Sequence, residues 1–376
     1  MENVSIIIPC YNMGAYVQRA ISSALAQQSQ DIAVEVIVVD DGSSDGAFDD
    51  AAAFSQVRLL RQNNQGSAAA RNAGLEIAQG DYLIFLDADD ILPRGVVASQ
   101  LQALTTHPDW DLSVCVSLQI QEDTLATYFW PLRAAYLDLH LCHKNVTPLH
   151  SVFLRKTAAT AAGGFNPELR ACNDHDFFLR CLRAGQHFGI NADTLVLYWL
   201  HAGSISRHTP NLARHAAFVC TEIEEILRNA KALSPNGQTL GFQAHAAGSL
   251  NTALRLQDID EKLSHKMQDL SVQAAERAYT HDDPPQDAYL ARCRLFFAAD
   301  FLLRARSLHH PSHTLHTAVR RIRALIPDLA RLDKQALQAH CKALDFSLNC
   351  PLPQMQACLE GCPEITTFIK NLHATS

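Results

Sequence analysis

The sequence contains no run approaching the ~18 consecutive apolar residues that a membrane-spanning helix requires. It also has no basic excess: 31 Lys and Arg stand against 39 Asp and Glu, a net charge of −8. Without a positive field, nucleic acid is not an expected partner. Paired cysteine spacings are missing as well. The eleven cysteines are scattered, which argues against a disulfide framework and for reduced thiols of a cytoplasmic protein. The tightest group, Cys350, Cys358 and Cys362, has neither CxxC spacing nor a near histidine, contrary to what structural zinc demands. The opening "MENVSIIIPCYN" begins with an acid and an apolar run too brief for a signal peptide. A cytoplasmic protein without a secretory signal is therefore expected.

What the sequence does have is a core. Apolar residues make up 48% of 376, enough for a sizeable interior, and the length suggests about two domains. The first ninety residues alternate β-rich runs, "VSIII" (4–8), "VEVIVVD" (34–40), "VRLL" (57–60) and "YLIFLD" (82–87), with helical stretches at 15–27 and 67–78. Continuous apolar strands separated by helices predict an α/β domain with a mostly parallel sheet. A helix is expected from Pro93 to about Thr106, a strand at 111–118, a helix at 174–184 and a strand within 194–206. After Pro210 the chain becomes rich in Ala, Leu, Gln and His and reads as a string of amphipathic helices. Domains are expected at 1–209 (α/β) and 210–376 (all-α), the second carrying no assignable motif.

The chemistry concentrates at strand ends, where ligands of such sheets bind. "YLIFLDADDILP" (82–93) sets Asp87, Asp89 and Asp90 within four positions. A strand-to-helix turn explains Asp90 as a polar lead into the helix at Pro93. It explains Asp87 and Asp89 poorly, because unneutralised carboxylates so close repel each other, and a hard divalent cation would relieve them. An acid pair after an apolar strand also matches a phosphoryl-accepting nucleophile, but that pattern belongs on a first strand and here it closes the fourth. "PCYN" (9–12), "VDDGSSDG" (39–46) and "NNQGSAAARNAGL" (63–75) fall at the same sheet edge. Taken singly, each is as readily an ordinary turn.

The ordered set "SIIIPCYN", "VIVVDDGSSD", "NQGSAAARNAG", "GDYLIFLDADD", "GGFNPELRACNDHDFFLRCLRAG" and "YWLHAGSIS" resembles the inverting glycosyltransferases of family 2, which have the nucleotide-sugar-binding GT-A fold. The resemblance covers about Val4 to Ser206. It implies that Pro9 and Tyr11 pack against the nucleotide base, and that Asp41 or its neighbour Asp40 accepts a hydrogen bond from uracil. It further implies that Arg71 lies near the nucleotide and that Asp87 faces the ribose. Asp89, with His201, would ligate Mn²⁺ or Mg²⁺, and Asp174 would be the general base. The family commonly has Glu-Asp-x-Asp where this chain has Asn173-Asp174-His175-Asp176; Asp176 is the second candidate base. The family often has Arg two residues before the histidine, where Trp199 stands here. His150 and Arg155 are read as structural.

The resemblance thus implies a metal-dependent inverting enzyme that moves a sugar from a nucleotide-sugar, with a UDP-sugar expected, to a saccharide, lipid-linked or protein acceptor. A lipid-linked acceptor would be met by peripheral contact at the inner face of the membrane. Two rivals are a non-catalytic binding or scaffold module and a sugar-phosphate nucleotidyltransferase. The latter needs a Gly-rich basic loop after the first strand, which "PCYNMGAY" does not supply.

Overall fold

The computed structural model describes residues 1–122, 127–130, 137–204, 209–229, 235–279, 288–326, 329 and 331–348. The cysteine group at 350–362 lies outside them. Within the described residues the chain forms two compact units. One comprises residues 1–122, 127–130 and 146–204; the other comprises 137–145 and the residues from 209 onward. The short piece 137–145 groups with the helical unit although it interrupts the first unit in sequence.

The first unit is built on one mixed sheet in the order β3-β2-β1-β4-β7-β5-β6, with β8 on the other edge of β5. Its parallel half follows from the apolar runs: β1 (Glu2–Cys10), β2 (Ile32–Asp40), β3 (Val57–Arg61) and β4 (Tyr82–Phe85). Val4, Ile6, Ile7 and Ile8 of β1 are fully buried, each contributing roughly 1.5–3 kcal/mol of burial. Helices α1 (Gly14–Leu25), α2 (Ala47–Ala52) and α3 (Ser67–Ile77) cross between these strands. Gly74 lets α3 lie against β1, since a Cβ at residue 74 would sit 2.4 Å from Ile7 Cγ2.

The other half brings strands from later in the chain. After α4 (Val96–Thr106) come β5 (Leu112–Gln121), β6 (Thr127–Trp130), α5 (Leu137–Leu141), a 3-10 turn (Leu149–Ser151) and β7 (Val152–Arg155). The strand β7 inserts antiparallel between β4 and β5. Then α6 (Lys156–Ala161), α7 (Asn173–Arg183) and β8 (Phe188–Leu200) follow, with β8 parallel to β5 and bulged opposite Cys115. The helix after Pro93 begins only at Val96, after Gly95 at φ 84°. Arg155 spends its guanidinium on the carbonyls of Trp110 and Leu104, a structural role.

The second unit is all-α: α8 (Thr209–Asn229), α9 (Pro235–Leu256), α10 (Glu261–Ala278), α11 (Ala288–Ala305), α12 (His313–Leu325) and α13 (Lys334–Leu348). Asp260 caps α10 and Ser312 caps α12 through their side-chain oxygens, a signal of about 1 kcal/mol each. Leu250, Met267, Phe301, Leu302 and Ile322 form its core. The piece carrying α5 joins it through His143, whose Nε2 lies 3.1 Å from Asp300 Oδ2. Gly248 of α9 permits the approach, because a Cβ there would meet the His143 carbonyl oxygen at 2.1 Å. No helix among the described residues is long and apolar enough to cross a membrane.

Candidate active site

The carboxyl ends of β1, β2 and β4 carry the polar segments. After β1, Tyr11 stands 47% exposed while Pro9 is buried, so the ring of Tyr11 is open to a planar ligand. Asn12 sits at φ 52° and ties this turn to the next, donating its N–H to Ser43 Oγ and accepting from Ser44 N.

Asp40 and Asp41 end β2 and both are buried. Asp40 accepts from Ser43 N at 3.2 Å and pairs with Arg61 Nε at 3.1 Å. Asp41 Oδ1 accepts from Gln62 Nε2 at 2.7 Å and Gln65 N at 2.8 Å, and its Oδ2 accepts from Gly66 N at 2.7 Å. These carboxylates therefore organise the loop before α3. Gly66, at φ 95°, is needed there, since a side chain with a Cβ rarely adopts that backbone conformation.

The acids after β4 divide by partner. Asp87 Oδ1 accepts a short hydrogen bond from Arg71 Nη2. Asp89 Oδ2 lies 3.0 Å from His201 Nε2, and the imidazole stacks on Tyr16 at 4.8 Å. The hydrogen bond that its ring N–H donates to Asp89, with the nearby carboxylates, holds His201 above the ordinary histidine range although burial opposes it. Asp90 does not lead into a helix. It is 1% exposed, accepts Trp199 N at 2.6 Å and pairs with the equally buried His150 at 2.9 Å. Burial pushes its carboxyl up to about 7 against the pull of His150. The reason is topological: β8 and the 3-10 turn arrive beneath the loop and enclose the third acid.

Trp199, where an arginine was expected, turns its indole N–H to Glu122, and Arg19 of α1 lies 4.7 Å over its ring. Glu122 also accepts from Tyr16 OH at 3.0 Å. Nothing local in sequence points to Glu122 or Arg19, whose partners come from distant segments.

Arg71 and Asn72 of α3 staple the remaining wall. Asn72 exchanges hydrogen bonds with Phe165 N and O. Arg71 spans Asp87 and, at 2.6 Å, Asn173 Oδ1, so the end of β4 and the start of α7 are joined by one guanidinium. Asp174 follows Asn173. Burial lifts its carboxyl above the usual range, with Asp87 adding to the rise, while the His175 N–H and the Arg71 and His175 charges oppose it. Arg180 donates Nε and Nη2 to Asp176 Oδ2 at 3.0 and 2.7 Å.

Asp89 and His201 offer a carboxylate oxygen and an imidazole nitrogen within one hydrogen-bond length. That donor set fits Mn²⁺, and fits Mg²⁺ less well because Mg²⁺ favours oxygen alone. Among the described residues no cluster of three or more His, Cys, Asp or Glu side chains could hold a metal by itself, so a cation here would need ligand oxygens from a substrate.

Comparison with known proteins gives concordant results. Residues 5–154 match the model of Glycosyl transferase family 2. A glycosyltransferase, GlyG of Streptococcus pneumoniae, is 38% identical over 106 residues, 27% of this chain and 35% of that protein. The chain therefore spans about a third of that relative's length. Among solved structures, S. aureus TarS 1–349 in complex with UDP-GlcNAc superposes with a TM-score of 0.56 at 17% identity, covering 88% of this chain and 92% of that one. The mannosyltransferase PcManGT from Pyrobaculum calidifontis, in complex with GDP-Man and Mn²⁺, gives 0.51 at 18% identity, covering 90% and 86%. At these identities the structural likeness establishes the GT-A-type fold.

Proposed function

We propose that this protein, whose residues 5–154 match the model of Glycosyl transferase family 2, is an inverting glycosyltransferase moving a sugar from a UDP-sugar to an acceptor hydroxyl. The observation that carries the reading is the Asp87–Arg71–Asn173 link. It ties the strand end bearing Asp87 and Asp89 to the helix start bearing Asp174, as a donor site and a base acting on one sugar require.

In this reading the base of the nucleotide meets exposed Tyr11, and the loop organised by Asp40 and Asp41 forms the floor beneath it. Asp89 and His201 would hold a divalent cation, Mn²⁺ or Mg²⁺; when bound, it neutralises charge on the diphosphate as a Lewis acid. Asp174 takes the proton of the attacking hydroxyl on the opposite face of the sugar. Its raised pKa suits that task, since a base works best with a pKa near the working pH. Asp176 is paired through Oδ2 with Arg180 and is the second candidate. The acceptor is a hydroxyl of a saccharide, lipid-linked or protein substrate, approached from the cytoplasm, with peripheral membrane contact where the acceptor is lipid-linked. The complexes of TarS with UDP-GlcNAc and of PcManGT with GDP-Man and Mn²⁺ support a nucleotide-sugar donor and a metal.

The test is calorimetric titration with UDP and Mn²⁺ beside UDP-GlcNAc hydrolysis by wild type and Asp174→Asn. We expect Mn²⁺-dependent UDP binding in both proteins and a fall in hydrolysis of roughly 10²- to 10⁴-fold in the variant. Absence of metal-dependent UDP binding would overturn the reading.

A further inference from the structure

Asn173 occupies the position where the family resemblance leads one to expect a glutamate. It is not a vestige. The residue is 5% exposed and uses both ends of its amide. Oδ1 accepts from Arg71 Nη1 at 2.6 Å. Nδ2 donates to Ser67 Oγ at 3.1 Å and to the Leu169 carbonyl at 3.3 Å. A carboxylate could receive the arginine, but it has no proton for the Leu169 carbonyl.

Arg71 is equally buried. It donates its other terminal nitrogen to Asp87 and lies 5.4 Å over the Phe165 ring. The helix α7 has no side-chain N-cap, and its preceding residue, Cys172, is in the left-handed region at φ 57°. Its first turn is consequently located by tertiary contacts, those of Asn173 among them.

We propose that Asn173 is the positioning residue of the general base. Its amide fixes the start of α7 against Arg71, Ser67 and Leu169, and its neutrality leaves Arg71 paired with one carboxylate rather than two. The inference rests on the reading of Asp174 as base. A second negative charge at residue 173 would leave Asp87, Arg71 and residue 173 with a net negative charge beside Asp174. Among the charged groups acting on Asp174, Arg71 and His175 favour its ionised form and Asp87 opposes it. Cancelling more of the Arg71 charge would therefore raise the pH at which Asp174 becomes a base.

The experiment uses the full chain with UDP-GlcNAc and Mn²⁺, measuring hydrolysis from about pH 5 to 9 and UDP affinity by titration. Asn173→Asp is isosteric: it removes the donor and adds the charge. Asn173→Ala removes the contacts without adding charge. For Asn173→Asp we expect kcat to fall on the order of 10- to 100-fold, as misplacement of a base does. KM and UDP affinity should stay within about twofold, and the acid limb of kcat should move up by about one pH unit. For Asn173→Ala we expect a fall in kcat with the limb in place, which keeps the test open if the aspartate variant does not fold. An active wild type with Asn173→Asp and Asn173→Ala unchanged in kcat overturns the positioning role alone. Loss of UDP affinity in place of kcat also overturns it. A wild type that binds UDP but hydrolyses no donor overturns the reading of Asp174 and the positioning role together.

Discussion

Replacing Asp41 with Asn changes one atom, and its cost can be worked from the contacts. The carboxylate is 2% exposed and receives three donors, two on Oδ1 and one on Oδ2. An asparagine keeps an oxygen for Gln62 and Gln65 but turns its NH₂ toward Gly66 N. That bond is lost and a buried N–H is left unpaired, a loss of about 2 kcal/mol. The other two bonds fall from charge-assisted to neutral, roughly another 1 kcal/mol together. A total near 3 kcal/mol should lower the Tm of a unit of this size by about 6–12 °C. Thermal unfolding followed by circular dichroism reads it directly. An Asp41→Asn protein melting within about 2 °C of wild type would refute the three-donor arrangement. Loss of UDP binding at an unchanged Tm would mean that those oxygens serve the nucleotide instead of the loop.

Three further outcomes are expected. The folded-state pKa values of Asp90 and His150 are both raised, Asp90 to about 7. The folded protein therefore holds more protons than the unfolded chain between about pH 4 and 7, and stability falls as pH rises through that window, by up to about 1.4 kcal/mol per unit. Denaturant melts at pH 5.5 and 8 should show it, and Asp90→Asn should flatten the slope. His201→Ala removes the partner of Asp89 and should weaken Mn²⁺-dependent UDP binding at least 10-fold, measured by titration with and without metal. Asp176→Ala removes the ion partner of Arg180, whose Nη1 still donates to the Ala162 and Gly164 carbonyls, and should cost about 2 kcal/mol. Hydrolysis per folded molecule should stay within a few-fold of wild type, and an effect as large as that of Asp174→Asn would contradict the assignment of the base.

The parallel half of the sheet was legible because its signal is local. Runs such as "VEVIVVD" specify a doubly covered strand without reference to anything distant, and β1 to β4 fall where their apolar runs lie. The spacing of acids after Phe85 likewise marked the sheet edge that gathers the site. The rest depended on separation. Asp90 reads as a turn residue from its neighbours, and only His150 and Trp199, the latter 109 positions away, make it an interior one. The antiparallel entry of β7 and the grouping of 137–145 with the helical unit have no periodic signature either, because chain return is set by packing rather than by residue pattern. Asp174 and Asp176 look alike as first-turn acids, and the pairing of Asp176 with Arg180 one turn on is seen only in the folded helix.

The junction of β8 with the loop after β4 also bears on how the molecule opens. Between β1 and β2 the paired residues are 30 apart, as in Glu2 with Ile32, whereas Asp89 and His201 are 112 apart. Loop-closure entropy makes the longer link about 1 kcal/mol costlier to close, and the ladder of β8 with β5 ends at Leu200, just before His201. Sub-global opening should therefore begin where β8 leaves the loop after β4, with the β3-β2-β1-β4 half still folded. In hydrogen exchange the amide of Trp199 would exchange before those of Ile6 to Ile8. A cation and diphosphate bridging Asp89 and His201 would slow that exchange from the far side of the ring, so that substrate occupancy and the latching of the last strand become a single event.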